Sequence, residues 1–166
     1  AVWTAVSALP TSPFVVAIGS GAAHDGDFAS WVHNGRLDCI RIDPKVGGYA
    51  HRIDDEVVLS ALCVLVGCEH CVGIFLQLPC GPWCSSKFLD DGGPTPIFTS
   101  DARDGVCKDG KVLSAATDAL YLVSCGVRIA CVALRAGKLF MSELPAGHGE
   151  GTLLQSRKLF KHSTMH

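Results

Sequence analysis

Four short apolar runs, separated by polar segments, dominate the hydrophobic pattern of the chain. They lie near residues 14–18, 38–42, 71–78 and 138–143, and each is short and followed by Gly, Asp or Pro within a few residues. "PFVVAIGSG" and "HCVGIFLQL" are continuously apolar, which is typical of strands buried on both faces. "LDCIRID" alternates, as a half-buried strand does. The pattern therefore predicts four β-strands.

The polar segments between these runs contain helix signals. "DGDFASWVHNG" predicts a short helix that begins after Asp25 or Asp27 and stops at Gly35. "DDEVVLSALCVLVG" predicts a longer helix, capped by Asp54 and ended by Gly67. Its expected buried face is formed by Val57, Val58, Ala61, Leu62 and Leu65.

Two segments are less regular. "PKVGGYAHR" is expected to be a loop. Lys111–Leu134 is mostly helical in pattern, with Gly126 as a weak point. An alternative is a helix to Cys125 followed by a hairpin through Ala136–Gly137.

The alternation of strands and helices predicts the fold class. It indicates an α/β, Rossmann-like domain with a mostly parallel sheet flanked by helices. We expect the strand with Val15–Ile18 to lie beside the strand with Ile74–Leu78. The predicted organisation is a tail over 1–12, the α/β domain over 13–151 and a second tail over 152–166.

Composition supports a folded domain and limits the classes of partner that it can be expected to bind. The 166 residues are 48% hydrophobic and 18% charged, which excludes a wholly disordered chain. The net charge is −2, with no basic block longer than "SRKLFKH", so whole-chain charge does not indicate nucleic-acid binding. We expect no signal peptide, because the sequence does not start with a basic, then an apolar, then a small-residue segment. We expect no membrane partner, because Leu120–Leu134 is interrupted by Arg128 and is too short to span a bilayer.

Nine cysteines are many for this length. Their odd number and apolar surroundings argue against a disulfide framework. We interpret most of them as reduced core residues of an intracellular protein.

Three polar or glycine-rich pieces follow predicted strands, at the sheet edge where ligands bind in parallel α/β folds. Gly19-Ser20-Gly21 would let backbone approach a nucleotide, or is an ordinary turn. Asp43, after the next strand, would accept hydrogen bonds from ribose hydroxyls.

The third piece combines a thiol and an acid. Cys80 in "QLPCGPWCSS" follows a strand end and is a candidate nucleophile, although a buried cysteine is the plainer interpretation. Glu143 ends the last strand, where it would share a proton with a substrate heterocycle or be a solvated surface acid. His51, His70 and His148 have no spacing that singles them out.

A zinc module is a rival interpretation of the cysteines. Cys68, Cys71, Cys80 and Cys84 have the spacing of a four-thiolate site. However, the strand between the two pairs would separate them by about 20 Å.

Taken together, "VVAIGSGAAHDGDFASWV", the acid Asp43, "LPCGPWCSS" and "LFMSELP" resemble the motifs of the DNA (cytosine-5) methyltransferase family. Divergent methyltransferase-like domains of algal and protist mobile-element-type proteins look closer, since "DDGGPTP", "ARDGV" and "SELPAGHGEG" follow in the same order. The resemblance covers roughly 13–151. Leu144 stands where the family usually has Asn, and the later arginine and target-recognition motifs are absent from this sequence.

This resemblance implies an S-adenosyl-L-methionine-dependent transferase that acts on nucleic acid, with DNA preferred over RNA. Cys80 and Glu143 would be catalytic, and Gly19, Ser20, Gly21 and Asp43 would bind the cofactor. An alternative function is a non-catalytic remnant or interaction domain of the same fold, which binds a partner or nothing. No metal is expected under either hypothesis.

Overall fold

A computed structural model describes residues 8–78 and 110–143, with side chains from residue 117 onward in the second range. Its elements, in chain order, are β1 (Phe14–Ile18), α1 (Phe28–Asn34), β2 (Asp38–Ile42), α2 (Pro44–Gly47), a 3₁₀ turn (Gly48–His51), α3 (Glu56–Gly67), β3 (Cys71–Gln77), α4 (Gly110–Arg135) and β4 (Leu139–Glu143). The chain divides into two units: residues 8–78 and 125–143 belong to the first, and residues 110–124 belong to the second.

The four strands form one sheet in the order β2-β1-β3-β4, and every pair is parallel. This confirms an α/β fold with a parallel sheet flanked by helices, and it is consistent with a Rossmann-like arrangement. The predicted strand positions and the pairing of β1 with β3 are also confirmed. The hairpin alternative is wrong, because β4 runs parallel to β3 after a helical crossover.

β1 is central because its sequence is apolar on both faces. All five of its residues are buried, whereas β4 alternates between exposed and half-buried positions, as an edge strand does. The chain moves from β1 to β2 on one side of β1 and then to β3 on the other. The carboxyl ends of β1 and β3 therefore meet at a topological switch point, where ligands bind in open α/β sheets.

Helix starts follow local capping chemistry. Asp27 caps α1, and Gly35 is its C-terminal cap, as expected. The cap of α3 is Asp55 rather than Asp54, because the Asp54 carboxylate pairs with the Arg52 guanidinium instead. Val57, expected in the core, is 56% exposed, and Leu59 is buried instead.

α4 runs without interruption through Gly126. A Cβ at that position would lie 2.7 Å from Cδ1 of Leu78, so the glycine lets the helix approach the end of β3 closely. Ile129 and Ala133, one turn apart, are fully buried below it. A left-handed Gly137 ends the helix, with φ of 68° and the hydrogen bonds of a Schellman motif.

The expectation that the apolar stretch of α4 is too short to span a membrane is wrong on length and composition. Thr117–Arg135 is 19 residues with mean hydropathy 1.5, and about a third of it is buried within the fold. In the part that belongs to the first unit, Arg128 donates to the Glu56 carboxylate of α3 and Val132 lies beside Gly67. These are the contacts of a helix packed against another helix.

Residues 44–51, expected to be a loop, form α2 and the 3₁₀ turn. Asp43 caps α2, and Pro44 is well suited to the first helical position because its missing N–H needs no partner there. The two short turns bring His51 back to the end of β2, and this arrangement builds part of the site.

Candidate functional site

The carboxyl edge of the sheet gathers most of the predicted site residues. Ile18 pairs with Ile42 and with Leu76, while Gln77 pairs with Glu143, so all four strands end at one edge. Along this edge lie Asp43 after β2, Gly19 after β1, Leu78 after β3 and Glu143 at the end of β4. We call Gly19–Gly21 with Asp43 the β1–β2 half, and Gln77 with Glu143 the β3–β4 half.

Gly19 is required sterically at the switch point. Its φ is 78°, and a Cβ there would lie 2.0 Å from the backbone carbonyl oxygen of Gln77. Its amide donates to the carbonyl of Ile42 at 2.8 Å. The turn after β1 is therefore wedged between the ends of β2 and β3, which only a residue without a side chain permits.

Asp43 organises the glycine turn. Its Oδ2 accepts the amide of Gly21 at 2.7 Å, and its Oδ1 accepts the amide of Lys45 at 2.8 Å. Asp43 is only 6% exposed, so its carboxylate is committed to backbone donors. Gly21 has φ of 70°, and a Cβ there would have no heavy atom within 4 Å, so space is open beside the turn.

Arg41 is a site residue that the sequence reasoning missed. It donates to Asp27 at 2.7 Å and to the carbonyl of Gly21 at 3.0 Å, and so it ties the start of α1 to the glycine turn. Several hydrogen-bond donors to the Asp27 carboxylate hold its pKa far below the usual value, and the backbone amide of Ser30 has the largest effect. An arginine inside the alternating "LDCIRID" was the available signal.

His51 is the second missed residue. It is 5% exposed, and its Nδ1 accepts the backbone amide of Asp43 at 3.2 Å. Gly47 makes room for the ring, since a Cβ at Gly47 would overlap His51 Nδ1 at 2.1 Å. The sequence offered no spacing signal for this contact, because it depends on the turns of residues 44–51.

Two buried side-chain polar atoms in the described ranges have no hydrogen-bond partner: Oγ of Ser20 and Nε2 of His51. Leaving such an atom unpaired costs about 1–3 kcal/mol. Ser20 precedes Gly21, whose amide donates to the Asp43 carboxylate, and His51 accepts the Asp43 amide. Because buried polar atoms in proteins are rarely left unpaired, these two call for a functional explanation.

The β3–β4 half of the edge is built differently. The side-chain amide of Gln77 donates to the carboxylate of Glu143 in a solvent-exposed hydrogen bond, although Gln77 itself is half-buried. Glu143 ends β4, as predicted, and within the described part of the chain its carboxylate is held by another side chain. It can therefore reorient more readily than Asp43.

The catalytic assignment of Cys80 falls outside the described residues, which stop two positions earlier at Leu78. Cys84 also lies outside them. Cys71 is buried at the amino end of β3, and burial raises the pKa of its thiol, which is unfavourable for a zinc thiolate. No cluster of three His, Cys, Asp or Glu side chains suited to a metal occurs within 8–78 and 117–143.

A separate apolar groove of about 670 Å³ lies beside α1, over the amino halves of the strands. Trp31 and Leu139 line it and are 69% and 77% exposed. It is remote from the glycine turn along the strand direction and has no charged side chain in its lining.

Fold and site together define the class of protein: an α/β domain with a parallel sheet and a buried polar turn at its switch point. Comparisons with protein-family models, with curated proteins and with solved structures find no match.

Proposed function

We propose that this chain is an S-adenosyl-L-methionine-dependent, cytosine-5 methyltransferase-like domain acting on nucleic acid, with DNA preferred over RNA. The cofactor would occupy the β1–β2 half of the carboxyl edge. The substrate base would lie toward the β3–β4 half, next to Cys80 and Glu143.

One observation carries the proposal, namely the place of β3 beside β1. In this order, the glycine turn after β1 and the segment that continues from β3 toward Pro79–Cys80 start from neighbouring strand ends. The contact of Gly19 with the Gln77 carbonyl makes that proximity close. A thiol that attacks a base and a cofactor that alkylates the same base must be neighbours, so this topology is a requirement of the chemistry.

The residues of the β1–β2 half fit a polar, nucleoside-bearing cofactor. Space is open beside Gly21, and the Ser20 hydroxyl and the His51 ring each have an unpaired polar atom. Gly19, Ser20 and Gly21 would approach the cofactor, and Asp43 would hold the turn in position. Bound S-adenosyl-L-methionine would supply an electrophilic methyl group.

The chain's own residues would provide nucleophilic and acid–base catalysis. The Cys80 thiolate would add to C6 of a cytosine taken out of the base stack, forming an S–C6 bond and moving an electron pair toward C5. Glu143 would stabilise the charge through a proton shared with N3. After C5 takes the methyl group, a general base would remove the C5 proton, and breaking the S–C6 bond would restore the thiolate.

A non-catalytic domain of the same fold is the second candidate. It is favoured by the commitment of the Asp43 carboxylate to two backbone amides and by the side-chain pairing of Glu143 with Gln77. Leu144, in the place of the usual Asn, points the same way. Such a domain would keep the cofactor site and lack methyl transfer.

Methyl transfer tests the leading proposal and separates it from this alternative. Full-length chain would be incubated with methyl-labelled S-adenosyl-L-methionine and cytosine-containing DNA or RNA. We expect label on DNA with the wild type, none with Cys80→Ser, and unchanged labelling with Cys84→Ser as the matched control. Cofactor binding without transfer would favour the non-catalytic domain, and absence of both would reject the methyltransferase proposal.

Thiol reactivity tests the assignment of Cys80 independently. A small alkylating reagent at neutral pH is expected to modify Cys80 faster than Cys84, and bound cofactor is expected to slow the reaction. Mass spectrometry of the peptides distinguishes the two sites. Faster modification of Cys84 would contradict the assignment.

A further inference from the structure

Asp43 is poorly placed to meet a ligand with its carboxylate. Both of its oxygens already accept backbone amides, and the residue is almost fully buried. The acid after β2 therefore acts on the glycine turn itself. Another group must supply any polar contact to a ligand in this half of the edge.

His51 has a donor in position for that contact. Because Nδ1 accepts the Asp43 amide, the proton of the neutral ring is on Nε2. That N–H is buried and has no acceptor within the described part of the chain. A protonated Nε2 has no lone pair for a metal ion, so the unsatisfied chemistry is that of a donor seeking an oxygen.

Ser20, in the glycine turn, supplies a second unpaired group. Its hydroxyl is buried without a partner, and it precedes Gly21, whose amide binds Asp43. The Asp43 carboxylate binds the amide of the residue after Ser20, and the Asp43 amide donates to His51. A hydroxyl both donates and accepts, whereas the ring N–H only donates.

The nearby charges favour a neutral ligand group. The Asp43 and Asp27 carboxylates both lie at this half of the edge, and Arg41 is already bound to Asp27 and to the Gly21 carbonyl. An anion would meet these carboxylates without a free cationic partner among the groups just named. A ligand hydroxyl, which accepts from Nε2–H and exchanges a hydrogen bond with Ser20, satisfies both groups without charge.

We propose that Ser20 and His51 form a hydroxyl-binding subsite for a ribose-like diol, and that Asp43 is the positioning residue that holds them. This inference rests on the proposed function for the identity of the ligand as a nucleoside. The subsite itself is argued from the two unpaired atoms and from the hydrogen bonds by which Asp43 holds Gly21, the neighbour of Ser20, and His51.

The test uses the full chain, with ¹⁵N-labelled histidine, and adenosine as the probe. The matched control probe is 2′,3′-dideoxyadenosine, which lacks the diol. We expect the His51 ring to show the Nε2–H tautomer, its signal to shift with adenosine, and the dideoxy compound to bind roughly tenfold or more weakly.

Two variants separate binding from folding. Ser20→Ala removes a hydroxyl that has no partner among the described residues, so thermal stability should be unchanged while adenosine affinity falls roughly three- to tenfold. His51→Asn keeps an acceptor near the Nδ1 position and removes the Nε2 donor, with a similar loss of affinity. The His51→Asn spectrum also assigns the His51 signal.

The outcomes distinguish this inference from the proposed function. Equal binding of the two nucleosides, or unchanged affinity in both variants, would overturn the subsite even if S-adenosylhomocysteine binds. Diol-dependent binding of adenosine without binding of S-adenosylhomocysteine would support the subsite and count against the methyltransferase proposal. If no probe shifts the His51 signal, these atoms bind buried water only, and the inference is wrong.

Discussion

The two halves of the carboxyl edge carry similar sequence signals and are built in opposite ways. Each half has an acid at or directly after the end of a strand, Asp43 and Glu143. Asp43 is buried and fixed by backbone donors, whereas Glu143 is exposed and held by the side chain of Gln77. An acid at a strand end therefore has a structural role where the following turn supplies backbone N–H donors to its carboxylate. Where the turn supplies none, the carboxylate can interact with a substrate.

The largest expected effect comes from filling the space at the switch point. Gly19→Ala forces a Cβ against the Gln77 carbonyl and keeps a left-handed φ, so we expect a loss of at least about 3 kcal/mol in unfolding free energy. Gly21→Ala is the matched control, with the same backbone strain and open space, and should cost about 1 kcal/mol. Urea unfolding measures both, and equal losses would remove the steric argument.

Removing the buried acid should have the next largest effect. Asp43→Ala leaves the amides of Gly21 and Lys45 without their acceptor, and we expect about 2–4 kcal/mol of destabilisation. Asp38→Ala, at the exposed amino end of the same strand, is the control and should cost less than about 1 kcal/mol. A small effect of Asp43→Ala would show that the glycine turn holds its shape without it.

Lowering the pH should reduce the free energy of unfolding through protonation of Asp27, in the β1–β2 half. Its folded pKa lies below the ordinary value of 3.8, chiefly because the Ser30 amide binds the carboxylate. Its contribution to stability is therefore complete above the unfolded pKa and is lost as the pH falls toward the folded pKa. Asp27→Asn should lose less stability than the wild type between pH 7 and pH 3, measured by urea unfolding. An identical loss in both proteins would contradict this role.

The smallest effects are expected in the β3–β4 half. Gln77→Ala and Glu143→Ala each remove one partner of an exposed pair, so each should change the unfolding free energy by less than about 0.5 kcal/mol. The same urea experiments measure these changes. Destabilisation as large as that of Asp43→Ala would erase the difference between the two halves.

The strands were predictable because their signal is local. Uninterrupted apolar runs such as Val15–Ile18 can be buried only as central strands or in a core helix, and their flanking glycines and short length favoured strands. The parallel order followed from the alternation with helices. From sequence, Gly126 is predicted to weaken its helix. The steric requirement for glycine comes from the side chain of Leu78, which is distant in sequence and so gives no local signal.

The site was only partly predictable for the same reason. Gly19, Gly21, Asp43 and Glu143 follow strands, so their common edge could be inferred. The contact of His51 with Asp43 depends on two short turns that were expected to be a loop, and the link of Arg41 to Asp27 depends on the pairing of elements. Hydrogen bonds between such segments have no periodicity that a sequence displays.

Calorimetric titration of the full chain with S-adenosyl-L-methionine tests the central claim, that the β1–β2 half binds this cofactor, most directly. We expect saturable binding in the wild type. Asp43→Ala should weaken it roughly ten- to a hundredfold through loss of the turn, while Asp38→Ala leaves it unchanged. No heat of binding at millimolar ligand, or equal binding by wild type and a folded Asp43→Ala variant, would contradict the claim.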